Sequence, residues 1–403
     1  MSVIGNWLVG RDRRESTAVP RLAAHLQEHA AEYWAEFVSG PPSVRLVSHA
    51  IRPDSQNDLY EFSLSYRSVE RRIIVKVRFP WKAATRPEAG HLDRLPDLYG
   101  LVETQDKTGY EFAAMSALMA SMARHPDERF GFVRVFGVLE EPHALIMEKR
   151  PEENLRQLLV SAHAKSGETS DLIPAAMRNA GAWLRWFHAF PDLSHTETRG
   201  ARVSELVDSM VQLTKYLCER VRCVRFLEGI CSELVGSVGA HLPDQLPLGL
   251  SHGDFSLGNV LVGAHGRAKV LDTFARWRKP IYEDISQFLV ALKFPGPRWW
   301  RARGGAAVRI AEQCEREFLA GYFAGESVPW GTIRLYECRF LLMRWAWLVH
   351  GSLETRGWRR IEKACGLAVW SWFVRRLLDR LVLEADKAMG SKSSRAQRQT
   401  SFA

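Results

Sequence analysis

The sequence predicts an α+β chain in two lobes: a small lobe on an antiparallel sheet, then a larger, mostly helical one. Two observations predict it. Between Ser43 and Phe79, short β-branched and aromatic runs alternate with polar turns, the period-two pattern of half-buried strands. From Arg150 to Lys387 the apolar spacing becomes helical, with one strand-like interruption at 248–274. The 403 residues are 46% hydrophobic and 25% charged, a globular composition that excludes wholesale disorder or a fibre. No stretch reaches the roughly 20 apolar residues of a membrane-spanning helix. Arg11 and Asp12 cut short the apolar patch at the N-terminus, so no signal peptide is expected.

The elements follow in order. Residues 21–37, rich in Ala and Glu with apolar residues at helical spacing, predict a helix that Ser39-Gly40-Pro41-Pro42 ends. VRLVSHAI, LYEFSLSY and RRIIVKVRF then read as an antiparallel meander. A Pro- and charge-rich loop over 80–107 precedes a helix from Tyr110 to Ala123, and GFVRVFGVLEEPHALIMEK reads as a hairpin turning at Glu141-Pro142. Helical periodicity covers 175–190 and 203–238, the second stretch spanning two helices or a kink at Gly229. LGLSHGDFSLGNVLV and RAKVLDTF form a loop with two flanking strands, and GSKSSRAQRQTSFA is a disordered basic tail. The expected divisions are an N-terminal helical extension (1–42), a small lobe (43–149), a large lobe (150–388) and the tail (389–403). Six cysteines without C-x-x-C pairing or a nearby zinc-spaced His predict buried free thiols in a reducing cytoplasm.

One short region speaks about chemistry. Ser251 to Val262 contains His252-x-Asp254-x-x-x-x-Asn259, the spacing of a kinase catalytic loop, and Asp272 ends the apolar run that follows. Phosphoryl transfer needs a carboxylate that orients the attacking hydroxyl and accepts its proton. It also needs oxygen ligands that hold Mg²⁺ against the nucleotide phosphates. Chance spacing in a polar loop would account for His-x-Asp alone, but not for four residues at these intervals between strand-like runs. Lys76, the first lysine in the chain, sits on a strand among arginines, where a compact charge suits phosphate contact or simple exposure.

On HGDFSLGNVLV, VLDTF and Glu283-Asp284 in IYEDISQFL, the chain resembles the aminoglycoside phosphotransferase and choline-kinase-like superfamily of small-molecule kinases. VKV around Lys76, GAWLRWFHAF and ALIMEKRPEENLRQLL add weaker matches, and together they span 44–350. The resemblance implies a protein-kinase-like fold, ATP or GTP as donor, Mg²⁺, and a small-molecule hydroxyl acceptor. By it, 43–149 binds nucleotide and 150–388 carries the catalytic loop and acceptor site. Asp254 is the base, Asn259 and Asp272 are metal ligands, and His252 braces the loop. Lys76 holds phosphates with Glu111 as its partner, and Glu148 lies near the nucleotide base. Asp284 either supports the loop from beneath or is a first-turn helix acid favoured by the dipole. Two departures stand out. No glycine occurs in IRPDSQNDLYEF, leaving Ser55, Gln56 and Asn57 as substitute phosphate donors, and Ser256-Leu257 replaces the His-Pro frequent in the family.

Charge narrows the acceptor. The chain has 55 Lys+Arg against 46 Asp+Glu, and from Thr273 onward 23 Lys+Arg face 12 Asp+Glu, a net of +11. Such a field repels polycations, so an aminoglycoside-type antibiotic kinase ranks below a kinase of a neutral or anionic acceptor. Nucleic acid fits the charge but has no accompanying binding motif. Trp- and Arg-rich segments end the chain, and Leu367, Trp370, Val374, Leu377 and Leu381 form a helical stripe. That stripe is core, or a helix lying on an anionic membrane surface. The expected location is cytoplasmic, with peripheral contact at the inner membrane as the variant. A non-catalytic nucleotide- or membrane-binding module is the competing class, and intact Asp254, Asn259 and Asp272 argue against it.

Overall fold

The computed structural model describes residues 3–51, 57–78, 104–164, 172–221, 223–293, 297–353 and 359–390. They form two compact units. One draws on Met1–Thr85, Val102–Glu152 and Lys269–Phe274, the other on Glu153–Ala268 and Ala275–Ala403.

The first unit opens with α1 (Val3–Tyr33), longer than its apolar spacing over 21–37 suggests. Three strands follow, β1 (Ser43–Ile51), β2 (Asn57–Tyr66) and β3 (Val69–Arg78), then helix α2 (Thr104–Arg124) and a short β4 (Phe130–Gly131). A hairpin of β5 (Val135–Leu139) and β6 (Ala144–Glu148) closes an antiparallel sheet in the order β1-β2-β3-β6-β5. Strand alternation decides what each face does. Tyr60, Phe62 and Leu64 of β2 and Ile73, Val75 and Val77 of β3 point to one side. There they bury against Leu22, Leu26, Ala30 and Tyr33 of α1 and Trp34 and Phe37 just after it. Lys76 and Arg78 therefore point to the other side, beside α2. On that helix Met115, Leu118 and Met122 form a buried stripe that includes Glu111.

The second unit holds α3 (Leu155–Ala164), α4 (Leu172–His188), β7 (Glu197–Thr198), α5 (Val203–Cys218) and α6 (Val224–His241). Then come short strands β8 (Leu248–Ser251), β9 (Val260–Val262), β10 (Ala268–Val270) and β11 (Trp277–Pro280). Residues Lys269 and Val270 of β10 belong to the first unit. The region expected to hold two flanking strands thus has three, with a fourth beyond it. Helices α7 (Tyr282–Lys293), α8 (Pro297–Phe323), α9 (Trp330–Leu353) and α10 (Arg359–Ala388) complete the unit.

The break between α5 and α6 is not at Gly229. It falls at 219–223, where the amides of Arg220 and Val221 both turn back to the Leu217 carbonyl. Gly229 lies inside α6 with open space around it. Two other glycines are required by packing. A Cβ on Gly181 of α4 would lie 2.0 Å from the Phe318 carbonyl oxygen, and one on Gly321 of α8 would lie 1.9 Å from that of Arg178. The crossing of α4 and α8 exists because neither residue has a side chain there.

On α10 the buried positions are Val374, Leu378, Leu381, Val382 and Ala385, so this helix does pack into the core. Trp372 and Val369 remain exposed, with Arg376 stacked on Trp372. The five described cysteines are free, but only Cys314 and Cys338 are buried. Among the described residues no helix is long and apolar enough to cross a membrane. The tail at 391–403 and the loop over 80–103 lie outside the described residues.

Candidate active site

The loop between β8 and β9 carries His252, Asp254 and Asn259 in the second unit. Gly253 takes φ of +79°, a conformation few side chains tolerate, and this turns the chain so that Asp254 leaves the strand direction. Next to it, Phe255 is fully buried and anchors the loop. Its ring is stacked with Trp183 at 5.9 Å and lies 5.2 Å from Phe288, which stacks on Phe318 at 4.2 Å. The aromatic pattern of α4, α7 and α8 thus fixes the position of a polar loop.

The loop backbone is tied from below by Asp284 in the first turn of α7. Its Oδ2 accepts the His252 amide at 2.7 Å and its Oδ1 accepts the Gly253 amide at 2.9 Å. His188 Nε2 lies 3.2 Å from the same carboxylate, and its Nδ1 is 2.7 Å from the Tyr322 hydroxyl. An ionised Asp284 makes Nε2 the donor, and Nδ1 then accepts from Tyr322. Burial works to raise the Asp284 pKa, but the two histidines and the His252 amide hold it below the ordinary value of 3.8. Support beneath the loop and first-turn placement are one arrangement here, not alternatives.

His252 is buried in an aromatic box of Trp183, Phe187 and Phe255, and its Nδ1 accepts the Asp254 amide at 3.3 Å. The Asp254 carboxylate is gripped at both oxygens. Asn259 Nδ2 donates to Oδ2 at 3.0 Å and to the Asp254 carbonyl at 2.9 Å, while Gln287 Nε2 donates to Oδ1 at 3.0 Å. Asn259 keeps its own Oδ1 as an oxygen donor. Gln287 and His188 are missing from the sequence reading. The one available signal for Gln287 is its place a single helical turn after Asp284.

In the first unit, Lys76 and Glu111 meet. Lys76 Nζ donates to Glu111 Oε1 at 3.0 Å and Oε2 at 3.1 Å, and also to Asp272 Oδ1 at 2.6 Å. The separation of 35 residues between Lys76 and Glu111 is spanned because β3 and the buried stripe of α2 face each other. Arg78, two residues along the same face, donates to Glu111 Oε2 as well. Burial pushes the Glu111 carboxyl up, and Lys76 and Arg78 pull it back. Burial would raise Asp272 too, but Lys76 and then Arg78 carry it down to about 2. Asp272 has φ of +59° and is a third exposed. Burial, then the charge of Arg78, push the Lys107 ammonium down.

Two of the other expected residues lie on the sheet of the first unit and one lies outside the description. Asn57 opens β2 opposite Arg78. Glu148 ends β6 with its carboxylate on Arg150 at 2.9 Å. Ser55 lies outside the described residues.

Each unit offers one hard oxygen of the kind Mg²⁺ takes alongside phosphates and water: Asn259 Oδ1 in the second and the ionised Asp272 carboxylate in the first. Among the described residues no group of three or more His, Cys, Asp or Glu could hold a metal by itself.

With this geometry, comparison with known proteins is informative. The sequence profile of the phosphotransferase enzyme family matches residues 103–317. No curated protein matches the chain. An ethanolamine kinase from Plasmodium vivax aligns over 90% of this chain and 90% of its own, at 11% identity and a TM-score of 0.50. A choline kinase from Streptococcus pneumoniae aligns over 86% of this chain and 99% of its own, at 13% identity and a TM-score of 0.45. The fold is the two-lobed, protein-kinase-like one, with its antiparallel sheet in the N-terminal part.

Proposed function

The chain belongs to the phosphotransferase enzyme family, and from that premise we propose that it moves the terminal phosphoryl group of ATP, or GTP, onto a hydroxyl of a small-molecule or carbohydrate-like acceptor. The observation that carries this reading is the Asp254 carboxylate, held at both oxygens by side-chain amides on a loop tied to Asp284.

Asp254 orients the acceptor hydroxyl and takes its proton as the hydroxyl oxygen bonds to the terminal phosphorus. The bond to the bridging oxygen breaks, and the nucleoside diphosphate leaves with that electron pair. The grip of Asn259 and Gln287 leaves the carboxylate few orientations, so little reorganisation accompanies proton transfer. His252 holds the Asp254 backbone through its amide, and Lys76 pairs with the nucleotide phosphates while Glu111 positions it. Asn259 and Asp272 would hold Mg²⁺, which when bound offsets the charge on the phosphate oxygens. The acceptor is neutral or anionic, because the chain from Thr273 onward carries a net +11 that disfavours polycations.

The test is transfer itself. Incubating the protein with Mg²⁺, ATP or GTP and a panel of sugars, amino alcohols, glycans and aminoglycosides, with mass-spectrometric detection, identifies the acceptor. Asp254→Ala should reduce product formation at least about a hundredfold while keeping nucleotide-dependent thermal stabilisation. Wild-type turnover by Asp254→Ala overturns the assignment.

A further inference from the structure

Two cations of β3 meet at Glu111. Glu111 is a single carboxylate with no exposure, yet Lys76 and Arg78 both bond to it. Among the described residues Lys76 and Arg78 thus share one buried carboxylate, and Lys76 also reaches Asp272.

Arg78 is the residue positioned to meet an anion. It lies on the same face of β3 as Lys76 and is 5% exposed. The Phe274 ring sits 5.0 Å from its guanidinium carbon, covering one face of the group and leaving its N–H edges to act. One of those edges reaches Glu111, while the buried Nε–H has no hydrogen-bond partner among the described residues. A planar guanidinium with one edge anchored and another N–H unmet is suited to phosphate oxygens. The register also sets Arg78 directly opposite Asn57, the first residue after a β1–β2 connection whose sequence holds no glycine. Without glycine in that sequence, a side-chain cation on the neighbouring strand is suited to the phosphate contact.

We propose that Arg78 is a second phosphate-binding cation, contacting the polyphosphate of the nucleoside triphosphate beside Lys76. The proposal rests on the nucleotide-dependent function given above. It makes Glu111 a shared counter-ion whose grip on Arg78 leaves Lys76 able to turn toward phosphate without stranding a buried carboxylate.

Calorimetric binding of Mg·ATP and of adenosine to the wild type, Arg78→Gln and Arg78→Lys tests it. Both variants should bind Mg·ATP about tenfold or more weakly, as for loss of a charged hydrogen bond, and bind adenosine as the wild type does. Arg78→Lys keeps a cation against Glu111, so its result decides the matter if Arg78→Gln does not fold. A folded Arg78→Lys with wild-type affinity for Mg·ATP overturns the proposal, as does an equal loss for adenosine, which marks a packing role. A wild type that binds neither ligand instead overturns the functional reading on which the proposal stands.

Discussion

Asp284 joins a helix terminus, a histidine and two loop amides at one buried carboxylate, and its ionisation state is therefore a property of the fold. Its folded pKa lies below the ordinary 3.8, so the unfolded chain binds that proton more readily. The stabilisation is fully present above about pH 4 and is lost as pH falls through the depressed folded value. Asp284→Asn should flatten this acid limb and lower stability at neutral pH by about 2–3 kcal/mol, since one amide and His188 lose a charged acceptor. Acid-unfolding curves of the two proteins check it, and superimposable curves would assign the stabilisation elsewhere. Among single residues, Asp254, Asn259 and Asp272 stand out by local spacing, and Asp284 only through the family resemblance. Gln287, His188 and Arg78 do not stand out: each looks like an ordinary helix or strand residue until the tertiary fold supplies its neighbour. Lys76 and Asp272 lie 196 positions apart, a pairing no local pattern encodes.

At the scale of elements, glycines that look alike in sequence have opposite meanings. Gly181 faces the Phe318 backbone, whereas nothing lies within 4 Å of a Cβ at Gly229. Gly181→Ala should force α4 from α8 and cost about 1–3 kcal/mol, as overpacking does. Gly229→Ala should stabilise α6 by about 0.5–1 kcal/mol through helix propensity alone. Denaturant midpoints measure both, and effects of the same sign would contradict the packing described. The contrast also explains why the stretch 203–238 is two helices and not one kinked at Gly229. Glycine was the only conspicuous helix breaker in that stretch, whereas the real turn at 219–223 closes through backbone bonds to Leu217 and uses no special residue. The strands were easier to read because one face of the sheet is apolar throughout, and Tyr60, Phe62, Leu64, Ile73, Val75 and Val77 keep strict alternation.

For the whole molecule, the net +9 has one exposed expression in the Trp372–Arg376 face of α10, where Val369 is also uncovered. An anionic bilayer is the surface this combination would meet. Flotation with phosphatidylserine vesicles should bind the protein at low salt and release it at high salt, more weakly for Trp372→Ala. Equal flotation with neutral vesicles would remove the idea. The order of the chain conceals one further dependency. The helix that reads as an appendage is the lid on half of a hydrophobic interior: Leu22, Leu26, Ala30 and Tyr33 cover the sheet whose opposite face holds Lys76. A chain cut near Ser43 would keep every residue of the candidate site and yet leave the sheet with one oily face open to water, a product bound for aggregation and proteolysis. The residues of α1 that cover the sheet thus matter to the candidate site through the sheet they shield, although none of them belongs to it.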